Sequence, residues 1–309
     1  MTLSTTELSA KYDELRNWGR WGDDDEAGTL RFITPQRRVK AAGEVRHGVT
    51  VSLAHDLLTA PTDEQPVPVM HHMLAGGDAL DASGVPGYEA TRDFVGLEVH
   101  GLGTTHLDAL CHMFVDGQMY NGRPASAVTS TGAEANTVMT VADGIVGRGV
   151  LLDIPGLRGV DALGPDDRVT AADLEAAEQR QSVTVGSGDL LIVSTGRDAR
   201  RQVAAIDPFE DGLAGLDGSC LQWLYDREVA MLAGDGISDP MPAQPDPKWP
   251  FPIHQIAITG MGMHLIDNCR LDDLLVACRR YAQWSFLLTI NPLRIPGGTG
   301  CPVNPLAVL

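Results

Sequence analysis

The chain has 309 residues, 43% of them hydrophobic, and 41 acidic against 23 basic residues give a formal net charge of −18. That balance argues against nucleic acid or an anionic membrane surface as a partner. The length allows one large domain or two small ones, with a core that removes about 75% of the unfolded chain's surface from water.

Five cysteines (Cys111, Cys220, Cys269, Cys278 and Cys301) are scattered without a C-x-x-C pair, which points to reduced thiols in a cytoplasm. The opening MTLSTTELSAKYDEL is polar and lacks the apolar stretch of a signal peptide. No apolar run approaches the length of a membrane span. The expectation is a cytoplasmic protein whose partner is a small molecule, with neither nucleic acid nor membrane.

Taken in order, residues 1–16 read as a polar surface helix, and 1–30 as an N-terminal arm. NWGRWGDDDEAGTL follows, with Trp18 and Trp21 each preceding a glycine, so that both indoles are expected to anchor an ordered loop to the core. Asp23 to Asp25 and Glu26 read as a solvated charge run. ITPQRRVKAAGEV predicts a helix with Thr34 as N-cap and Pro35 in its first position. VTVSLAHDLL, 49–58, alternates as a strand does. The segment 59–92 is rich in Pro, Gly and Asp and shows little periodicity, which marks a long loop. It carries His71 and His72; adjacent residues on a strand point apart, so at most one could touch a substrate. DFVGLEVHGLG, 93–103, reads as a strand running into the stretch that dominates the sequence.

That stretch is HGLGTTHLDALCH, which places His100, His106, Asp108 and His112 within thirteen residues. Imidazole and carboxylate suit Zn²⁺, Mn²⁺ or Fe²⁺. An H-x-D pair on extended backbone shows both side chains on one face, and His112 lies one helical turn beyond Asp108 if the chain coils there.

Beyond it, DGQMYNG reads as a turn, and Asn136 to Val141 and GVLLDIPG as strand pieces. TAADLEAAEQRQ reads as an amphipathic helix capped by Thr170, and GDLLIVSTG as a buried strand. A helix over 218–226 leads into a strand ending at Gly234, where Asp235 and Asp239 sit among glycines; such residues either face the pocket or cap the turn, and the turn is the preferred reading. PIHQIAITGMGMHLIDNC supplies a second donor-bearing region with His254, His264 and Asp267. LDDLLVACRRYAQ reads as a helix, and WSFLLTINPLRI and PVNPLAVL as strands. GGTG, 297–300, lacks the helix of a P-loop, and no nucleophile elbow appears. Strands mix with helices without a linker, so one α/β or α+β domain over 1–309 is expected.

The central stretch resembles the signature of the cyclase family, which includes kynurenine formamidase, isatin hydrolase and trans-dienelactone hydrolase: H-x-G-T-H-x-D-x-P-x-H. His106, Asp108 and His112 match its second histidine, aspartate and last histidine. Its first histidine falls on Leu102, its glycine on Thr104 and its proline on Leu110, and His100 stands two residues before the expected first ligand. NWGRWGDDDEAGTL and LRIPGGTGCPVNPLAVL resemble the longer members. The resemblance implies a swivelling β/β/α fold and a metal-dependent hydrolase opening an amide or ester. It implies metal ligands at His106 and Asp108, with His100 as a substitute ligand, and His254 with Asp267 from the far region, His264 being a rival there. His112 would be the general base. Trp18 or Trp21, with the loop at His71 and His72, would shape the pocket. One Zn²⁺ is expected rather than two, with Mn²⁺ the alternative, in a homo-oligomer, dimer or tetramer. The opposing reading is a metal- or ligand-binding protein of the same fold that turns nothing over, and an open metal position facing a cleft would separate the two.

Overall fold

A computed structural model describes residues 3–78 and 85–309; parts of two expectations, residues 1–2 of the N-terminal helix and 79–84 of the long loop, lie outside them. A nine-stranded mixed sheet organises the molecule. Its order is Thr50–Ser52, Leu306–Val308, Ser285–Ile290, Ile145–Asp153, Leu190–Ser194, Met231–Gly234, His264–Asp267, His106–Asp108 and Gly300–Pro302. The four strands from Ile145–Asp153 to His264–Asp267 run parallel to their neighbours. Antiparallel strands flank them on both sides.

The central strand LLIVS is buried along its whole length, as expected of a parallel strand covered on both faces. Leu191 and Val193 join one hydrophobic cluster and Leu190 and Ile192 the other, so the sheet divides two cores. Helices cap as their sequences dictate. Ser4 and Glu7 form a capping box on Thr5–Glu14, Thr34 caps Pro35–Ala42, and Thr170 with Asp173 does so for Ala171–Gln181. The fold is the mixed α/β one expected. No described helix is long and apolar enough to cross a membrane.

Several local expectations are corrected. Asn136 to Val141 is not a strand: Thr137 caps a 3₁₀ turn, Val138–Val141, its hydroxyl taking the Met139 amide that a strand would have paired. The strand begun near residue 49 ends at Ser52, after which the Leu53 and His55 amides bond to Pro305 and to the Thr105 hydroxyl rather than along a ladder. The long loop contains a strand, Met70–Ala75, paired antiparallel with Arg92–Gly96. Neither strand joins the main sheet, and both are exposed on both faces. With no buried face, no hydrophobic alternation marks Met70–Ala75, while Arg92–Gly96 falls at the start of the span already read as a strand. The strand leading to the histidine cluster therefore stops at Gly96. Asp25 in the acidic run is buried, where it accepts hydrogen bonds from the Gly28 amide, Tyr120 Oη and Arg31.

Candidate metal centre

Strand register assembles the centre. In the antiparallel pair of His106–Asp108 with His264–Asp267, Asp267 stands opposite His106 and Leu265 opposite Asp108. His106 and Asp108 share a face by alternation, and Asp267 joins them from across the ladder. All three are buried. His264 is three residues before Asp267, so alternation turns it to the other face. Burial lowers its pKa to about 4, and it belongs to neither group of donors able to hold a metal ion.

Two such groups occur among the described residues: His106, Asp108 and Asp267, and His100, Asp108 and His112, each with donor atoms within 4.8 Å of one another. Asp108 serves both. His100 reaches it from outside the strand, with Nδ1 2.8 Å from Asp108 Oδ1 and Nε2 3.0 Å from the Thr299 hydroxyl. Gly300 makes room for that ring, since a Cβ there would lie 2.6 Å from it. His112 follows a turn in which its amide bonds to Ala109 O. Its ring stacks on His100 at 3.8 Å, with Nε2 3.9 Å from Asp108 Oδ1.

His254 enters from the opposite wall, at the end of a short helix, Pro252–His254, that continues as a π-helix, Gln255–Met261. Asp239 holds it. Its carboxylate accepts the Ile253 and His254 amides and His254 Nδ1, the last at 2.7 Å. That bond turns Nε2 to the carboxylates, 3.2 Å from Asp267 Oδ2 and 3.6 Å from Asp108 Oδ2. The structure thus brings His100, His106, Asp108, His112, His254 and Asp267 to one place.

The donor set fits a divalent cation. Asp108 Oδ2 and Asp267 Oδ1 are buried without a hydrogen-bond partner, a costly state for carboxylate oxygens unless a positive charge meets them. His106 Nδ1 donates to Thr104 O at 2.8 Å, leaving Nε2 to face Asp108 Oδ1 at 3.4 Å, the arrangement that orients a ligating imidazole. Electrostatics agree. Burial opposes charge on His106, but the Asp108 hydrogen bond and charge outweigh it and raise the pKa to about 9. Burial likewise opposes charge on His254, and Asp267 and Asp239 overcome it. Protons drawn to these two imidazoles take the place of cationic charge beside the carboxylates. For Asp108 burial favours the neutral acid, yet the surrounding imidazoles of His112, His100 and His106 hold it well below the usual carboxylate range. His112 differs: burial dominates and lowers its pKa to about 4, so it is neutral at pH 7.

The loop between His100 and His106 is pinned from behind. Asn268 Nδ2 donates to Gly101 O at 2.7 Å and Thr104 O at 3.1 Å. The buried Arg197 donates to Asn268 Oδ1 at 2.6 Å and Leu102 O at 2.7 Å. Asp235 accepts the amides of Thr195, Gly196 and Arg197 and fixes the turn that carries the arginine. It is a turn cap, as its sequence position implies.

The donors open onto a cleft of about 240 Å³ walled by Leu102, Met113, Ile237 and Phe251, with His100, His106, His112, His254 and Asp267 exposed to it. Trp18 and Trp21 are not on its walls. Trp18 Nε1 donates to Thr259 O in the π-helix at 2.7 Å, and Trp21 packs edge-on against Phe32. His71 and His72 lie on the exposed hairpin, where His71 pairs with Asp93 at 2.9 Å; neither lines the cleft. Sequence reasoning preferred a turn cap to a pocket role for Asp239 and passed over Asn268, Thr299 and Gly300. The turn residues around Asp239 and the GGTG run were visible, but only register shows what they touch.

A mixed α/β sheet whose strand pair buries histidine and aspartate against a cleft defines a protein built around a metal-type donor cluster. Residues 45–239 match the cyclase family model, and the chain belongs to that family. A crystal structure described as a novel cyclase is 29% identical, covering 95% of this chain and 99% of its own, with a TM-score of 0.86. An isatin hydrolase bound to the product analogue thioisatinate is 20% identical over 89% of this chain and 99% of its own, with a TM-score of 0.59. Isatin hydrolase A from Ralstonia solanacearum is 23% identical over 89% and 97%, also with a TM-score of 0.59. No curated protein matches the sequence.

Proposed function

We propose that the protein is a metal-dependent hydrolase that opens a small cyclic or linear amide or ester: a lactone, a lactam or an aryl formamide. The observation that carries this reading is the pair of orphaned buried oxygens, Asp108 Oδ2 and Asp267 Oδ1, set beside a cleft with an apolar wall. His106, Asp108 and Asp267 would hold one ion, Zn²⁺ or alternatively Mn²⁺, with His254 and His100 at its sides. Such an ion supplies a water of lowered pKa and polarises a carbonyl oxygen.

The chain's own groups do the rest. Leu102, Met113, Ile237 and Phe251 take the apolar body of the substrate and exclude water. His112, neutral through burial, accepts a proton at Nε2 and returns it to the leaving oxygen or nitrogen. Asp239 keeps His254 Nε2 turned toward the reacting centre. Family members of related fold that are named isatin hydrolases support the class of substrate. Donors that face a cleft favour an enzyme over a binding protein with a closed shell.

A pH-indicator screen of lactones, lactams and aryl formamides, run with Zn²⁺- and with Mn²⁺-loaded protein, tests the reading. Acid release from at least one class, absent in Asp108→Asn, is the expected result. Stoichiometric metal uptake with no turnover of any class would leave the binding-protein reading in its place.

A further inference from the structure

The start of the long segment without periodicity is held against the loop between His100 and His106. Thr62 and Gln65 close a turn by bonding amide to carbonyl in both directions, at 3.0 and 3.1 Å. The turn sends two polar side chains inward. The Glu64 side chain is 14% exposed and Gln65 is 9% exposed, whereas Thr62 and Asp63 beside them are open to water. Polar residues of a surface loop normally stay in solvent, so both burials call for a reason.

Glu64 bridges two arginines. Arg197 and Arg201 stand one turn apart on the helix Arg197–Val203, where like charges repel. Glu64 Oε1 accepts from Arg197 Nη2 at 3.1 Å, and Oε2 accepts from Arg201 Nε at 2.8 Å. The same Nη2 donates to Leu102 O at 2.7 Å, and Leu102 is on the cleft wall. Arg197 is buried, and a buried charge stripped of its partner is strongly disfavoured. Glu64 therefore fixes the nitrogen that holds Leu102.

Gln65 presses on the next residue of the loop. A Cβ on Gly103 would lie 2.7 Å from Gln65 Oε1 and 2.8 Å from Gln65 Cβ. The Gly103 φ lies outside the left-handed region, so the close approach of Gln65, not backbone conformation, requires glycine there. At the far end of the loop the His55 amide bonds to Thr105 Oγ1 at 3.0 Å. Arg201 Nη1 donates to His55 Nε2 at 2.7 Å, which ties the two attachments together.

We propose that the turn Thr62–Gln65 is a clamp on the cleft: Glu64, through Arg197, and Gln65, through Gly103, are positioning residues that set where Leu102 meets the substrate. The clamp rests on the hydrolase reading only for what the cleft holds. Neither side chain lines the cleft. An apolar wall touches ground state and transition state alike, so loosening it moves KM and leaves kcat in place.

Kinetics on dihydrocoumarin, a neutral aryl-fused lactone, with Zn²⁺-loaded protein test this. Glu64→Gln is expected to keep its metal by elemental analysis and its kcat within about 3-fold, and to raise KM about 10-fold, the effect of one misplaced methylene in an apolar pocket. Asp63→Asn, its exposed neighbour, is expected to match the wild type. A Glu64→Gln protein with unchanged KM overturns the proposal, and so does one that loses its metal. If that variant unfolds, or if the wild type leaves dihydrocoumarin intact, a stability cycle decides without turnover. Gly103→Ala is expected to lower the urea midpoint in the wild-type background and to leave it nearly unchanged where Gln65→Gly has removed the side chain. Penalties that merely add overturn the clamp. A coupled cycle without turnover upholds the clamp and counts against the hydrolase reading alone.

Discussion

Two antiparallel strand pairs in this molecule invert the normal distribution of side chains, in opposite senses. His106–Asp108 with His264–Asp267 buries histidine and aspartate near one edge of the main sheet. Met70–Ala75 with Arg92–Gly96 exposes methionine, leucine and phenylalanine. Buried polar groups and exposed apolar patches are the informative departures from a rule that most residues obey. Neither arrangement is completed by the pair alone: the first gathers carboxylates and imidazoles that suit a cation, and among the described residues the second leaves both faces open. The first is also buttressed by Asp239, Asn268, Arg197 and Thr299, whereas among the described residues the second is held by its ladder and by His71 with Asp93 across it.

That contrast can be broken by substitution, beginning with the largest effect. Asp108→Ala removes the carboxylate shared by both donor groups, so elemental analysis should find the metal gone and hydrolysis lost with it; a metal-free variant of full activity would refute the centre. His112→Ala should keep its metal and lose about 10²- to 10⁴-fold in kcat, as expected for a missing general base. Loss of metal instead would make His112 a ligand. Asp239→Asn withdraws the anion that orients His254, which should weaken metal affinity or activity by about 10- to 100-fold, measured by calorimetric titration and by rate. Asn268→Ala leaves Gly101 O unpaired and Thr104 O with one donor fewer. It should cost about 1–3 kcal/mol in thermal unfolding and raise KM more than it lowers kcat, because the disturbed loop carries Leu102 on the cleft wall. A variant as stable as wild type would show that the loop holds its shape without this brace.

How much of this was legible follows from how local each signal is. His106, Asp108 and His112 lie within seven residues, and H-x-D alternation carries its own geometry. Residues 171–181 read as a helix because cap and periodicity lie inside one window, and 272–281 do so by periodicity alone. Asp239 is different. As a turn residue after a strand it looks like many others, and its partner His254 is fifteen residues away across a helix start. Thr299 and Gly300 touch His100 only because Gly300–Pro302 pairs with His106–Asp108, a register that no short window contains. The hairpin's first strand and its pairing escaped for the reverse reason: with neither face of Met70–Ala75 buried, its sequence has no pattern to keep. Trp18 was conspicuous, but the distant carbonyl it serves, Thr259 O, makes it a brace for the π-helix.

The sheet order carries a consequence for how the protein is made. His106–Asp108 lies between His264–Asp267 and Gly300–Pro302, strands that leave the ribosome long after it. At about 5–20 residues per second, the interval from residue 106 to residue 302 is roughly 10–40 s. Until residue 267 is made the nascent chain presents His100, His106, Asp108 and His112 without Asp267 opposite them, and until residue 300 without Thr299 and Gly300 behind. The centre is therefore a late event of biosynthesis, and a chain stalled before residue 264 would display only half of a site to the cell's metal pool.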